Sequence, residues 1–413
     1  MLKASWGAEV LLKSCVPSSI VSNKCGILYI ITTERSLTLK ALVYEGIKNV
    51  KVKSVDDPGI KKDDDVIVKV TSTAICGSDL HLLHGMIPNL KTGTVLGHET
   101  MGIVMETGKG VTRIKKGDRV IVPFPVACGH CWFCKHQYYS QCDNSNEFGE
   151  CGGILGYSDT MGGYDGGQAE YLRVPYANVG PVKVPDMLSD EQVLFLTDIL
   201  PTSYWGVEHA GVKQDDTVVV LGCGPVGLLT IKWAYFFGAK RVIAVDCVDY
   251  RLEKAKEFGA ETVHLEHQDH TGDLIKEMTH GGADVVIDCV GMDGKMTTFE
   301  RIETMLKMQG GSKSAIELAA QAVRKCGTIQ LVGVYGSRYN LFPLGDFFAR
   351  NITLKMGQCP ANAYIPRILD LIKSGEFTAT DIITHKMSLD DAEHAYDIFE
   401  KKKDNCIKVI LKP

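Results

Sequence analysis

The stretch 128-CGHCWFCKHQYYSQC-142 decides how the rest of the chain is read. Cys128, Cys131, Cys134 and Cys142 follow the spacing C-x2-C-x2-C-x7-C, which lets four thiolates converge on one tetrahedral zinc. A closed site of four soft, deprotonated ligands does no chemistry; it staples a loop. Iron–sulfur ligand runs use other spacings and commonly a following proline. The loop therefore predicts a structural zinc in a protein whose reactive site lies elsewhere.

Outward from that loop, the composition is that of an ordinary globular protein. The chain has 413 residues, 45% hydrophobic and 23% charged, enough for about two or three domain-sized units. A formal net charge of −5 argues against a nucleic-acid footprint. The 14 cysteines are too few for a disulfide scaffold at this length, and their clustering fits metal binding in a reducing, cytosolic compartment. No apolar run approaches the roughly 18 residues a membrane span needs. Residues 1–39 differ from the rest: acids are few and a short apolar run covers Ile27 to Ile31. They lack the layout of a signal peptide and are expected to form a poorly ordered extension.

Upstream of the cysteine loop, Cys76 stands in C-G-S-D-L-H and His98 in G-H-E. A thiolate and an imidazole suit a catalytic zinc, which takes three protein ligands and keeps one position open. Asp79 is placed to accept a hydrogen bond from the ring nitrogen of His98 that faces away from the metal. Ser78 could relay a proton from an alcohol, and His81 could pass it on to solvent. Spacing leaves the third ligand open among Glu99, Asp198, Glu191, Cys151 and His209. Asp198 lies in the apolar string Leu196-Thr197-Asp198-Ile199-Leu200, where a lone carboxylate is costly unless paired or bound to metal; its bland reading is a helix cap. Glu99 follows His98 directly, and neighbours on a strand point to opposite faces, so it reads as a supporting or exchangeable ligand.

From Lys40 to about residue 184 short β-rich runs alternate with Gly and Pro, predicting an all-β, barrel-like domain. Helical periodicity begins between Leu188 and Ala210. A βαβ series follows: strand 217–221, helix 226–237, strand 241–246, helix 249–258, then strands 283–288 and 328–332, which predicts a parallel, doubly wound sheet. Met292 to Ser314 is a long insertion for a strand-to-helix connection. Helices are expected at 365–374 and 389–401, with a last strand at 407–411 that returns to the first domain. His264, His267, His270 and His280 read as surface-loop residues, Cys223 as a small packing residue.

Between the first strand of that series and its helix lies Gly222-Cys223-Gly224-Pro225-Val226-Gly227. Gly222 permits the tight turn, Gly224 lets the backbone approach a pyrophosphate, and Gly227 allows close helix–strand packing. Pro225 and Val226 open a helix whose N-terminus favours phosphate charge. Asp246 ends the next strand about 20 residues on, where a carboxylate accepts a ribose 2′-OH and repels a 2′-phosphate. This favours NAD over NADP, with Arg251 nearby on the following helix.

Taken in this order, Cys76-Gly77-Ser78-Asp79, Gly97-His98-Glu99, the cysteine loop and the glycine turn resemble the medium-chain zinc alcohol dehydrogenases from about Lys40 to Pro413. The strings Gly166 to Tyr171, Val174 to Ala177, Asp198 to Thr202 and Cys406 to Pro413 are similar to the glutathione-independent formaldehyde-dehydrogenase-like branch. The resemblance implies an α/β protein. A GroES-like zinc catalytic domain would begin at 40–200 and a Rossmann NAD-binding domain would occupy 201–357 with its insertion near 292–314. Residues 358–413 would return to the first domain. It implies Cys76, His98 and Asp198 as catalytic zinc ligands with Glu99 beside them, two zinc ions per subunit, NAD, a small alcohol or aldehyde substrate and a homotetramer. It also implies that the insertion shields the adenine of a tightly held NAD.

Overall fold

The protein is described by a computed structural model covering residues 20–22, 28–30 and 38–413, except 148, 266–269, 294–311, 337–338 and 341. The chain divides into two compact units, Met1–Thr38 and Leu39–Pro413. In the first, Ile20–Ser22 pairs antiparallel with Leu28–Ile30; the rest of the expected N-terminal extension lies outside the described residues.

The larger unit carries two principal sheets. The seven-stranded one runs Val182–Lys183, Arg119–Val122, Glu99–Thr107, Val66–Ala74, Lys408–Lys412, Ile383–Ser388, with Tyr171–Val174 also paired to Val66–Ala74. Val66–Ala74 reads V-I-V-K-V-T-S-T-A and is buried along most of its length, as a strand with neighbours on both sides should be. Ile410 and Leu411 pair antiparallel with Ala74 and Thr73, so the end of the chain does return to the sheet built by its beginning. Asp79, His98 and Glu99 sit around the end of this sheet.

The second sheet has six strands in the order Glu261–His264, Arg241–Asp246, Thr217–Leu221, Ala283–Asp288, Val323–Leu331, Thr353–Met356, and every neighbouring pair is parallel. Numbered along the chain this is 3-2-1-4-5-6, the doubly wound Rossmann order. Its three central strands, Arg241–Asp246, Thr217–Leu221 and Ala283–Asp288, are buried on both faces. Val218 and Val220 pack toward Leu228, Leu229 and Trp233 of the helix Pro225–Phe236. Val219 and Leu221 pack toward Ile275, Ile316 and Ala319 of the helices Thr271–Met278 and Ser314–Ala322. The glycine turn sits at the carboxyl end of the first strand, at the point where strand order reverses and such sheets bind ligands.

Several local expectations shift. The helical stretch 188–210 is three pieces: Asp190–Val193, a 3-10 turn at Leu194–Thr197 and the helix Ile199–Ala210. The break falls on Asp198, whose backbone is neither helical nor extended (φ −153°, ψ −82°). The helix expected from 365 starts at Ala361 and carries Pro366 inside it; its apolar stripe of Ala361, Ile365, Ile368, Leu369 and Ile372 is buried, so tertiary packing outweighs the missing N–H. His264 ends a strand instead of lying in a surface loop, because the third parallel strand extends to it. His267 and nearly all of the insertion lie outside the described residues, as does its expected role over the adenine. Among the described residues no helix is long and apolar enough to cross a membrane.

Candidate active site and metal centres

Four side chains converge in the larger unit: one donor atom each from Cys76, His98, Glu99 and Asp198, all within 4.8 Å of one another and all four residues buried. Each arrives by a different local device. Cys76 precedes the helix Gly77–Leu83 and adopts an extended backbone, and its N–H donates to Asp79 Oδ2 at 2.9 Å. His98 follows Gly97, whose φ of +100° belongs to the region that favours glycine. A Cβ at 97 would also stand 2.4 Å from Gln168 Cγ. That kink leads the chain into the strand Glu99–Thr107 and brings both His98 and Glu99 to the pocket, although strict alternation would have separated them. Asp198 occupies the cap position of the helix Ile199–Ala210 but makes no capping bond with its side chain. Its Oδ2 instead lies 3.3 Å from Cys76 Sγ and 3.3 Å from His98 Nε2, and Thr202 Oγ1 donates to its Oδ1 at 3.0 Å.

Around this cluster stands a ring of supporting contacts. Asp79 Oδ1 lies 3.2 Å from His98 Nδ1, and Ser78 Oγ lies 3.2 Å from His98 Nε2. Lys408, on the last strand, donates to Glu99 Oε1 at 2.5 Å and to the Ile75 carbonyl at 2.8 Å. Glu99 Oε2 is buried with no protein partner. The rings of Phe124 and Tyr157 stand edge-on to His98 at 6.4 and 6.2 Å. His81 is buried, 4% exposed, one turn beyond Ser78. Cys151, Glu191 and His209 are elsewhere: Cys151 Sγ lies 3.1 Å from Met161 Sδ, Glu191 faces Lys386 and Lys412, and His209 bonds Gln330.

The electrostatics mark a site short of positive charge. Burial, then the charge of Asp198, pushes the Cys76 thiol up to about 11. Burial pushes Glu99 up to about 7, with Lys408 opposing. Burial alone would lower His98, but Asp79 and Asp198 hold it well above the usual imidazole range. A thiol, an imidazole and two carboxylates in one dry pocket, with one carboxylate oxygen unpartnered, are costly together unless a cation is shared. Sulfur, nitrogen and oxygen donors in this number suit zinc, so the residues present fit that ion.

The cysteine loop forms a second cluster. Cys128, Cys131, Cys134 and Cys142 also bring their sulfurs within 4.8 Å; Cys128 and Cys134, and Cys131 and Cys142, are 4.0 Å apart. Zinc–sulfur bonds of about 2.3 Å in a tetrahedron put sulfurs about 3.8 Å apart, whereas a disulfide would hold them at about 2.05 Å. Backbone N–H groups of His130 and Cys131 reach Cys128 Sγ at 3.4 and 3.3 Å, and Asn144 Nδ2 reaches it at 3.3 Å. Burial would raise that thiol, but these donors outweigh it and bring it down to about 6. Burial pushes the Cys134 and Cys142 thiols up instead, so the protein's own groups favour a thiolate at Cys128 and not at those two, and a shared cation would be needed to hold all four deprotonated.

At the nucleotide turn, a Cβ on Gly227 would sit 1.8 Å from the Gly222 carbonyl oxygen, which excludes any side chain there. Gly224 caps the helix Pro225–Phe236, with Pro225 at its first position. The Asp246 carboxylate accepts from the N–H groups of Cys223, Cys247 and Val248 at 2.6, 2.7 and 3.0 Å, so it braces the turn as well as facing it. Arg251 reaches over the turn, its Nη1 being 3.8 Å from where a Cβ of Gly224 would stand. Asp288, at the end of the fourth strand, is fully buried and accepts from Val290 N–H and Tyr335 OH at 2.8 and 2.5 Å. Sequence reasoning passed over Asp288, Thr202, Gln168 and Lys408. An acid at a strand end gave a signal for the first and the four-residue spacing from Asp198 one for the second, but none exists for Gln168 and Lys408, whose partners Asp79 and Glu99 lie 89 and 309 positions away.

Comparison with known proteins agrees with this anatomy. Residues 62–186 match the alcohol dehydrogenase GroES-like domain family, and residues 225–310 match the zinc-binding dehydrogenase family. The chain is 56% identical over 378 residues to the uncharacterized zinc-type alcohol dehydrogenase-like protein AdhB of Bacillus subtilis, covering 91% of this chain and 100% of that protein. It is 36% identical over 398 residues to the glutathione-independent formaldehyde dehydrogenase of Bacillus subtilis, covering 88% of this chain and 94% of that one. Among solved structures, the alcohol dehydrogenase TADH from Thermus sp. ATN1 superposes with a TM-score of 0.78 at 34% identity, over 90% of this chain and 99% of that chain. With a GroES-like β domain, a Rossmann sheet and two metal-donor clusters in one chain, this protein belongs to the medium-chain zinc alcohol dehydrogenase superfamily.

Proposed function

We propose that the protein is an alcohol oxidoreductase that transfers a hydride between an alcohol, or an aldehyde hydrate, and NAD, with two zinc ions per subunit. The observation that carries this reading is the buried convergence of Cys76, His98, Glu99 and Asp198. Cys76, His98 and Asp198 would hold the catalytic zinc, and Cys128, Cys131, Cys134 and Cys142 the structural one. When bound, zinc supplies Lewis acidity toward the substrate oxygen and the nicotinamide accepts the hydride.

The chain's own residues do the rest. Asp79 orients the His98 ring from behind. The Ser78 hydroxyl, beside His98 Nε2, takes the alcohol proton, and His81 on the same helix is the next acceptor. Lys408 neutralises Glu99 and keeps one of its oxygens away from the other donors. Phe124 and Tyr157 keep the pocket dry. Gly222, Gly224 and Gly227 admit the pyrophosphate to the N-terminus of the helix at Pro225, while Asp246 selects the ribose hydroxyls of NAD. Similarity to a formaldehyde dehydrogenase over most of the chain supports a small aldehyde hydrate or primary alcohol as the first substrate class.

The test is zinc content per chain, followed by NAD reduction with formaldehyde and a panel of primary alcohols, secondary alcohols and polyols. Formaldehyde as best substrate supports the full reading; a secondary alcohol or polyol replaces the substrate and keeps the mechanism. Cys76→Ala and His98→Ala should abolish turnover and leave NAD binding intact. Normal turnover in either purified variant rejects the site assignment.

A further inference from the structure

We infer that Gln168 and Tyr396 are positioning residues for the metal centre: together they fix the Asp79 carboxylate that orients His98. The inference rests on the proposed metal role of Cys76, His98 and Asp198. Tyr396 lies on the helix Ala392–Glu400 and its hydroxyl donates to Gln168 Oε1 at 2.9 Å. Gln168 Nε2 donates in turn to Asp79 Oδ2 at 3.3 Å and to the Ala74 carbonyl at 3.2 Å. Asp79 Oδ2 also accepts from the Cys76 N–H, and Asp79 Oδ1 faces His98 Nδ1 at 3.2 Å. Tyr396, Gln168, Asp79 and His98 are 2, 0, 0 and 3% exposed, so water does not compete for these bonds.

The chain of bonds has a direction. Two acceptor-only groups, the Asp79 carboxylate and the Ala74 carbonyl, fix the NH2 end of the Gln168 amide, which leaves Oε1 as the end that takes the Tyr396 proton. Without that hydroxyl the buried amide oxygen loses its donor, and the amide's hold on Asp79 loosens. Gln168 also touches the metal centre from a second side. Its side chain packs on Gly97, where an added Cβ would meet Gln168 Cγ at 2.4 Å, and its N–H donates to the Leu96 carbonyl at 2.9 Å. The same residue therefore sets the backbone that delivers His98 and the carboxylate that aims its ring. Groups behind a metal-binding histidine typically contribute 10–100-fold to metal affinity.

The experiment follows zinc release from the full-length protein to a colorimetric chelator. The release phase lost in Cys76→Ala defines the Cys76 centre, and the four-cysteine phase serves as an internal reference. Gln168→Met, close to glutamine in volume, should speed release from the Cys76 centre about tenfold and leave the reference phase unchanged. Tyr396→Phe should speed it in the wild-type background and by less in Gln168→Met, where only the hydroxyl's direct approach to Asp79 remains to be lost. Release within about twofold of wild type in Gln168→Met overturns the inference, as does an equal effect of Tyr396→Phe in both backgrounds. If Gln168→Met does not fold, Tyr396→Phe decides alone: it loses one oxygen, and an unchanged release rate rejects the role. A wild-type protein with no Cys76-dependent zinc rejects instead the metal reading beneath it.

Discussion

Lys408→Met tests the electrostatic logic of the centre most directly. Lys408 and Glu99 are both 0% exposed and 2.5 Å apart, and the ammonium also holds the Ile75 carbonyl. Methionine keeps most of the stem's volume and removes the charge. Glu99 then loses its nearest counter-charge, and breaking a buried pair in this way costs about 3–5 kcal/mol. Unfolding entropy of about 2.1 cal/mol/K per residue gives roughly 0.8 kcal/mol/K if the Leu39–Pro413 unit melts together. The thermal midpoint should therefore fall by about 4–6 °C at a fixed scan rate. Adding Glu99→Gln should recover most of the loss, since a neutral amide needs no counter-charge. A fall under about 1 °C, or a double variant no better than the single one, would refute the pair as a stabilising element of the site. It would then resemble an exposed ion pair of about 0–1 kcal/mol.

Other outcomes follow from the same geometry. Burial and then Asp198 push the Cys76 thiol up to about 11, and Asp79 and Asp198 hold His98 well above the usual imidazole range, so zinc binding there is coupled to proton release. Affinity at that centre should rise at least about tenfold between pH 6.5 and 7.5 in a competition titration, and a flat response contradicts the assignment. Gly227→Ala places a methyl against the Gly222 carbonyl; NADH fluorescence titration should show about tenfold or greater weakening, with zinc content unchanged. Asp246→Asn removes a charge and keeps a similar shape, so the preference for NAD over NADP measured from kcat/KM should fall about tenfold; an unchanged ratio means another residue discriminates. Cys131→Ser should lower the thermal midpoint and solubility and release one zinc per chain.

The parts of this protein that sequence reveals are those encoded over short spans. Four cysteines within 15 positions, a glycine turn between a β-branched strand and a helix, and an acid about 20 residues later each carry their geometry in local spacing. The parallel sheet follows from alternation of strands and helices, and its observed order agrees with that reading. The rest depends on contacts between distant segments. Asp198 was one of five candidates for a third donor, and only the broken helix around it turns its carboxylate toward Cys76 instead of its own helix end. Lys408 is 309 positions from Glu99, and Tyr396 is 228 from Gln168. Period and propensity are silent at such separations. Gly97 is an intermediate case: a glycine before a metal-binding histidine is visible, but its reason is the Gln168 side chain lying across it.

Because Lys408–Lys412 is a strand of the sheet that holds Cys76 and Glu99, the order of synthesis matters for assembly. The cysteine loop is complete as soon as residue 142 has emerged, and it can take its ion while the ribosome is still translating the nucleotide-binding half. The Cys76 pocket cannot settle until nearly the whole chain has been released, since its counter-charge arrives with the final strand. On the proposed two-zinc reading, the four-cysteine site is therefore open to an ion before the Cys76 pocket is.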